Sequence, residues 1–171
     1  MTLYKKIFKD YIIPVLVALV LTLLINKFLL FKIYIPSESM VPTLKVGDQA
    51  FATKIYNYSK IKRGDILVFN FAPENQLFIK RVIGLPGETV KVDDNGDVYI
   101  NGTKLNEPYV KNPDKKAGNF VVPKDCYLFM GDNRANSNDA RYWSNPYINE
   151  KDIRGKAQLI VYPFSRFGFL K

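Results

Sequence analysis

Histidine is absent from the 171-residue sequence, and cysteine occurs once, as Cys126. Without histidine the chain has no Ser-His-Asp or Cys-His catalytic set, no histidine-ligated metal site and no histidine acting as a general base. A single cysteine forms neither a disulfide within the chain nor a Cys-x-x-Cys metal or redox site. We therefore expect no metal and no cofactor, and any general base must be a lysine, an aspartate, a glutamate or a tyrosine.

Long runs of one charge are also missing. Lys and Arg number 25 against 16 Asp and Glu, a net charge of +9, but the basic residues are scattered and are not interleaved with aromatic residues. This pattern argues against a nucleic-acid-binding protein and fits attraction to anionic lipid headgroups better. The chain is 47% hydrophobic, so it is not a disordered chain, and its length suits one domain with its own core.

One long apolar run does occur near the N-terminus, over residues 11–31, interrupted by a single Asn-Lys pair. As a helix, these 21 residues would be about 31 Å long, close to the roughly 30 Å thickness of a bilayer's hydrocarbon core. Three lysines precede the run, so the positive-inside rule predicts that residues 1–10 are cytoplasmic. The prediction is a single-pass anchor in the cell membrane that leads to an extracytoplasmic domain at residues 32–171.

Two other interpretations of the run fit less well. A cleavable signal peptide would need a small-residue junction soon after the run, but the nearest Ala-x-Ala, at residues 50–52, begins about 20 residues later. A helix that packs one face on the core of a small domain would have one polar face, whereas this run is apolar on every face.

Beyond the run, short apolar or alternating segments are separated by turn signals, which is typical of strands. Asn-Gly pairs at residues 95–96 and 101–102 indicate hairpins. The polar stretch at residues 107–119 contains two prolines and is expected to be an exposed connection. The predicted fold class is therefore mainly β, a small antiparallel or mixed sheet preceded by one transmembrane helix. The predicted strands are residues 49–56, 65–71, 76–83, 89–92, 98–100, 127–130 and 158–162.

Two serines stand in a proline-flanked segment, PSESMVPTL at residues 36–44, shortly after the apolar run. The prolines favour a stiff, extended backbone. The segment could be a simple linker between anchor and domain, but Met40 and Leu44 are unusual for a linker.

One lysine shares a face of a predicted strand with apolar residues. Because side chains alternate along a strand, Lys80 lies on the same side as Phe78 and Val82. Burial on that face would disfavour the ammonium form and lower the lysine pKa, and a neutral amine can act as general base for a serine hydroxyl. The alternative is that the strand lies at a sheet edge, where the charge of Lys80 prevents further pairing.

A polar loop, GDNRANSNDAR at residues 131–141, follows the predicted strand at residues 127–130. It could be a plain solvent-exposed loop. Arg134, Asp139 and Arg141 nevertheless lie within eight residues of one another, which favours a scaffold of ion pairs around a site.

Together these segments resemble the type I signal peptidases, or leader peptidases, the membrane-anchored serine proteases that remove signal peptides. Four segments occur in the order of that family, and the short chain with one anchor is similar to the small enzymes of Gram-positive bacteria. The resemblance implies a small accessory subdomain around residues 88–121. The four segments are residues 36–44, 63–66, 80–87 and 131–141.

The resemblance also implies roles for single residues. Ser39 would be the nucleophile and Lys80 the general base, and the oxyanion would be bound by the Ser37 hydroxyl together with the backbone N–H of Ser39. Ser137 would hold the Lys80 amine in place. The supporting scaffold would consist of an Asp139–Arg141 ion pair, Arg81 and Arg134. The residues expected at the substrate are Ile35, Pro36, Met40, Phe78 and Ile79.

The implied substrates are preproteins with signal peptides, cut after an Ala-x-Ala-like junction at the surface of a phospholipid bilayer. The chain departs from the commonest family pattern at Ala135 and Ala140, neither of which matches a catalytic position. Self-cleaving repressors share a Ser-Lys fold, but they are soluble and carry a DNA-binding domain. A membrane-tethered binding module would explain the anchor and not the Ser-Lys pair, and an inactive paralogue would be expected to lack one of the two.

Overall fold

The computed structural model describes residues 3–170, and the chain forms two units, Met1–Phe31 and Lys32–Lys171. In the first unit, α1 (Leu3–Ile7), a π-helical segment (Phe8–Ile12) and α2 (Ile13–Phe28) follow one another. The part from Phe8 to Phe28 has 21 residues with a mean hydropathy of 2.2, and none of its most apolar stretch is buried against protein. It is therefore long and apolar enough to cross a membrane.

The helix begins and ends earlier than the predicted run of residues 11–31. It ends at Phe28, and Leu30 already belongs to the first strand. Apolar residues suit a membrane helix and a strand equally well, so the hydrophobic pattern does not mark the point where one becomes the other.

The second unit is mainly β, as predicted, with twelve strands in two antiparallel sheets. The strands are β1 (Leu30–Tyr34), β2 (Gln49–Lys54), β3 (Ile66–Phe71), β4 (Gln76–Gly84), β5 (Thr89–Val92), β6 (Val98–Ile100), β7 (Thr103–Lys104), β8 (Gly118–Val121), β9 (Cys126–Met130), β10 (Tyr147–Asn149), β11 (Ile153–Tyr162) and β12 (Gly168–Phe169). The larger sheet has the order β1-β2-β11-β3-β4-β9-β10, with β12 also paired to β11, and the smaller sheet has the order β7-β6-β5-β8.

All seven predicted strands exist, but β1, β7, β8, β10 and β12 were not predicted. The missed strands have two to five residues, too few for an alternating pattern to stand out from turns. The strand β8 lies partly inside the stretch at residues 107–119, which is therefore not wholly an exposed connection.

Three apolar clusters form the core. The first lies on β3 and β9, where the rings of Phe69 and Phe129 are 4.4 Å apart, centre to centre. The second joins the smaller sheet to β9, around Val90 and Leu128. The third contains Ile35 together with Met40 and Leu44. Met40 and Leu44 belong to residues 36–44, which we call the serine segment, so this cluster lies directly beneath that segment. Removing either aromatic ring from the first cluster would cost about 3–5 kcal/mol.

Candidate active site

Lys80 lies within the larger sheet, on β4. This strand pairs with β3 on one side and with β9 on the other, so β4 is not an edge strand. The interpretation that the charge of Lys80 prevents further pairing at a sheet edge is therefore wrong. Lys80 is only 4% exposed, and its Nζ is 5.5 Å from the centre of the Phe78 ring. Burial lowers the pKa of the Lys80 amine from 10.5 to about 8, and the carboxylates of Asp139 and Asp132 limit this decrease.

The turn that follows β1 brings Ser39 into contact with this lysine. Lys80 Nζ donates a hydrogen bond to Ser39 Oγ at 2.6 Å, and both side chains are buried. The neighbouring Met40 and Leu44 are fully buried in the third core cluster. A linker would leave such side chains in water, so the interpretation of residues 36–44 as a linker is wrong.

Hydrogen-bond donors lie next to the Ser39 hydroxyl. Ser37 Oγ is exposed to solvent and lies 3.3 Å from Ser39 Oγ. Among the hydrogen bonds of residues 3–170, none is donated by the backbone N–H of Ser39. A hydroxyl and a backbone N–H are therefore available beside Oγ for an oxygen that gains negative charge.

The loop at residues 131–141 holds the backbone around Ser39. The backbone N–H of Asn133 donates to the Ser39 carbonyl at 3.0 Å, and its side-chain Nδ2 donates to the Glu38 carbonyl at 3.1 Å. Asn136 Nδ2 donates to the Glu38 carboxylate at 3.0 Å. In the sequence this loop stood out for its charged residues, and these two asparagines were missed, although their side-chain amides were a usable signal.

Asp139 and Arg141 form a buried ion pair at the end of the same loop. Arg141 Nε donates to Asp139 Oδ1 and Nη2 donates to Oδ2, each at 2.9 Å. The Oδ2 atom also accepts from the backbone N–H of Gly131 at 2.9 Å. Gly131 is closely surrounded, since a Cβ there would overlap the Ser39 carbonyl oxygen and Ser137 Oγ. The ion pair thus fixes a backbone position that contacts the Ser39 segment.

A second buried ion pair joins β4 to the serine segment. Arg81 binds Asp132 through two hydrogen bonds, from Nε at 2.8 Å and from Nη2 at 2.6 Å. Asp132 also accepts from the hydroxyl of Thr43 at 2.5 Å, and Arg81 donates to the carbonyl of Gly64 at 2.8 Å. Charge-assisted, bidentate pairs of this kind fix geometry well, so Thr43 and Arg81 hold the serine segment against β4.

Arg134 is buried and makes contacts on two sides. Its Nε donates to the Gly131 carbonyl at 3.0 Å, and its two terminal nitrogens bind the Glu107 carboxylate at 2.5 and 3.0 Å. The ion pair between Arg134 and Glu107 was not predicted, because Glu107 lies in the stretch expected to be an exposed connection.

Ser137 is buried near the site but does not bind Lys80. Within the described part of the chain, residues 3–170, its Oγ is one of two buried side-chain polar atoms without a hydrogen-bond partner. Ser137 was expected to hold the Lys80 amine in place, but no hydrogen bond joins these two residues. Its hydroxyl lies instead against Gly131, where the chain approaches too closely to leave room for a Cβ.

A cavity of about 320 Å³ opens beside Ser39 and Lys80. Of the five residues expected at the substrate, Pro36, Phe78 and Ile79 line it. Ile35 and Met40 do not, because they are 1% and 0% exposed and pack into the third core cluster. Those two residues support the serine segment from beneath. The full lining is Pro36, Ser37, Ser39, Glu74, Gln76, Leu77, Phe78, Ile79, Lys80, Asn136 and Asn138.

The acidic and cysteine side chains of the described residues do not form a metal site. Among residues 3–170, no group of three or more such side chains is placed to hold a metal ion. In the acidic hairpin after β5, Asp93 Oδ1 instead accepts from the backbone N–H groups of Asn95 and Asp97, each at 2.9 Å.

Comparison with known proteins gives consistent matches over most of the chain. Residues 8–162 match the family model described as "Signal peptidase, peptidase S26". A signal peptidase I of Leptolyngbya laminosa is 44% identical over 163 residues, which cover 90% of this chain and 79% of the relative. Signal peptidase I P of Bacillus subtilis subsp. natto is 38% identical over 174 residues, covering 95% of this chain and 93% of the relative. A crystal structure of a signal peptidase I from Enterococcus faecalis is 33% identical and covers 57% of this chain and 96% of its own, with a TM-score of 0.48.

Proposed function

Since this chain belongs to the signal peptidase family, peptidase S26, and is a serine endopeptidase of the type I class, we propose that Ser39 is its nucleophile and Lys80 its general base. The observation that carries the proposal is the 2.6 Å contact between Lys80 Nζ and Ser39 Oγ at a buried position. Burial supports it further, because it keeps a useful fraction of the amine neutral.

The reaction proceeds in two steps. Neutral Lys80 accepts the hydroxyl proton as Ser39 Oγ attacks the scissile carbonyl carbon, which makes a tetrahedral intermediate. The C–N bond then breaks, the protonated lysine gives its proton to the leaving amine, and an ester to Ser39 remains. Lys80 next takes a proton from water, which attacks the ester carbonyl carbon. The acyl C–O bond to Ser39 then breaks, protonated Lys80 returns its proton to Ser39 Oγ, and the signal peptide leaves with a new C-terminal carboxyl group.

The oxygen that becomes negative in each step is stabilised by two donors. These are the hydroxyl of Ser37 and the backbone N–H of Ser39, and the 3.3 Å separation of the two serine Oγ atoms supports this assignment. In other proteases one such donor is worth roughly 3–4 kcal/mol in the transition state. The Ser37 hydroxyl and the Ser39 N–H thus stabilise the transition state more than they stabilise the bound substrate.

The substrate is the segment that follows the apolar core of a signal peptide. It would bind as an extended strand beside the Ser39 and Lys80 segments, with small side chains at the first and third positions before the cut. The modest cavity and its apolar residues Phe78 and Ile79 support this Ala-x-Ala preference. The helix Phe8–Phe28 supports a single-pass anchor, which would hold enzyme and substrate at one membrane surface and raise their effective concentration. By the positive-inside rule, the catalytic domain, residues 32–171, is extracytoplasmic.

The test uses the full chain in detergent and a preprotein with an Ala-x-Ala junction. Wild type, Ser39→Ala and Lys80→Ala are compared, with Lys91→Ala, an exposed lysine on β5, as the matched control. We expect wild type and the control to make one cut after the junction, identified by N-terminal sequencing of the product, and the two site variants to make none. Cleavage that survives either site substitution would show that another group is the catalyst.

A further inference from the structure

The stretch expected to be an exposed connection contains a segment that packs along the loop at residues 131–141. We call residues 107–114 the strap. Four of its side chains contact residues of that loop or of β4. These contacts pair Glu107 with Arg134, Tyr109 with Arg81, Asn112 with Asn133 and Asp114 with Arg141.

Both ends of the strap are held by buried arginines. At one end, Glu107 receives two hydrogen bonds from Arg134, whose side chain is 2% exposed. At the other end, Asp114 Oδ2 accepts from Arg141 Nη1 at 2.6 Å and from the Tyr142 hydroxyl at 2.7 Å. Glu107 is the carboxylate that compensates the buried Arg134 guanidinium, so the Glu107 end cannot leave without exposing an unbalanced buried charge. Arg141 is also paired with Asp139, so Asp114 adds a second carboxylate to a guanidinium that is already compensated.

Between these ends, Asn112 contacts the loop through its side chain and its backbone. Its Nδ2 donates to Asn133 Oδ1 at 3.0 Å, and its carbonyl accepts from the backbone N–H of Ala135 at 3.1 Å. Asn133 is itself buried, and its own Nδ2 donates to the Glu38 carbonyl at 3.1 Å. The two ends of the Asn133 amide therefore face different partners, the strap on the oxygen side and the serine segment on the nitrogen side.

We propose that Asn112 is a positioning residue for the nucleophile, because its hydrogen bond to Asn133 Oδ1 fixes the orientation in which Asn133 ties down the Glu38–Ser39 backbone. This inference rests on the proposed function, in which Ser39 attacks the substrate. Asn112 does not belong to the cavity lining, and its side chain acts on Ser39 through Asn133.

The orientation matters because a side-chain amide has a donor end and an acceptor end of nearly equal size. If the Asn133 amide turned over, its oxygen would face the Glu38 carbonyl, and two acceptors would repel each other. The backbone next to Ser39 would then lose one of its hydrogen bonds to the loop. The 2.6 Å contact between Ser39 Oγ and Lys80 Nζ depends on that backbone position.

The experiment compares Asn112→Ala and Asn112→Asp with Lys111→Ala, an exposed neighbour on the same strap, in the full chain in detergent. Turnover is measured at about pH 9.5, where Lys80 is mostly neutral, so that the charge added by Asn112→Asp does not act through the lysine pKa. Asn112→Ala removes the donor, and we expect kcat to fall about threefold to tenfold. Asn112→Asp places an acceptor opposite Asn133 Oδ1 and favours the turned amide, so kcat should fall further, while KM stays within about twofold.

The order of the two variants separates positioning from a general structural role. If the Asn112 contact were merely structural, each variant would lose activity only in proportion to the decrease in its folded fraction. Thermal melts in the same buffer measure that fraction. Equal kcat in Asn112→Asp and Lys111→Ala, or losses that vanish at equal folded fraction, would overturn the inference. Ser39→Ala is included in the same series. If Ser39→Ala stays active, the proposed function is wrong. If Ser39→Ala is inactive and both Asn112 variants have the same kcat as Lys111→Ala, only the inference about Asn112 is wrong.

Discussion

The kcat/KM of this enzyme should rise with pH through about 8 and then level off. The reason is that only the neutral amine of Lys80 can take the proton of Ser39, and burial lowers the pKa of this amine from 10.5 to about 8. Below that pH the reactive form falls about tenfold for each pH unit, and above it nearly all molecules carry the neutral base.

The size of the effect follows from the two pKa values. At pH 7, a lysine with a pKa of about 8 is neutral in about one molecule in eleven, against about one in three thousand for a pKa of 10.5. Burial in the sheet therefore increases the reactive form about 300-fold at neutral pH. A second perturbation tests the cause. Glu74 is an exposed carboxylate whose charge raises the Lys80 pKa, so Glu74→Gln should move the midpoint of the profile to lower pH.

The assay is cleavage of a fluorogenic peptide with an Ala-x-Ala junction at a concentration well below KM, so that kcat/KM reports the pKa of the free enzyme. The profile runs from about pH 5.5 to about pH 10, a range that brackets the shifted pKa. Thermal melts at each pH show that the domain remains folded over the range. A profile that is flat from about pH 6 to about pH 9, or a midpoint near that of free lysine, would refute the assignment of Lys80 as the base. A midpoint that moves to higher pH in Glu74→Gln would refute the electrostatic reasoning.

Three further substitutions test the surroundings of the nucleophile. Ser37→Ala should lower kcat about 100-fold to 1,000-fold with little change in KM, and a defect confined to KM would remove its role as an oxyanion donor. Gly131→Ala should cost about 1–3 kcal/mol in chemical denaturation and reduce turnover, because the new methyl group overlaps the Ser39 carbonyl oxygen. Ser137→Ala should leave the free energy of unfolding nearly unchanged, because the Ser137 hydroxyl has no partner to lose, and a loss above about 1 kcal/mol would contradict this.

The alternation of side chains made Lys80 predictable. On a strand a period of two fixes which residues share a face, so a lysine between Phe78 and Val82 had to be buried if that face was buried. The structure confirms that burial and also places the strand inside the sheet. Strands with clear alternation or with Asn-Gly turns were predictable for the same local reason.

The partners of the site depend on contacts between distant parts of the chain, and local patterns do not specify those. The strap contains polar residues and prolines, which look the same in a solvated loop and in a loop that binds buried arginines. The positions of Ile35 and Met40 were not predictable from the sequence for a related reason. An apolar residue next to a nucleophile can either line the cavity or pack beneath the backbone that carries the nucleophile. Only the packing of the third cluster distinguishes the two.

The buried lysine on β4 also affects the stability of the fold. In the unfolded chain Lys80 keeps its proton up to about pH 10.5, whereas in the folded chain it gives the proton up near pH 8. The unfolded state thus binds one more proton between these values, so folding stability rises with pH across this window. Below pH 8 the full cost of about 3 kcal/mol is present, a sizeable share of the stability of a small domain. Lys80→Met, which removes the amine and leaves an unbranched apolar side chain one atom shorter, should make the domain more stable at neutral pH by up to that amount, as chemical denaturation would measure. The contribution of Lys80 to folding stability is therefore least favourable at the pH values where Lys80 is least active as a base.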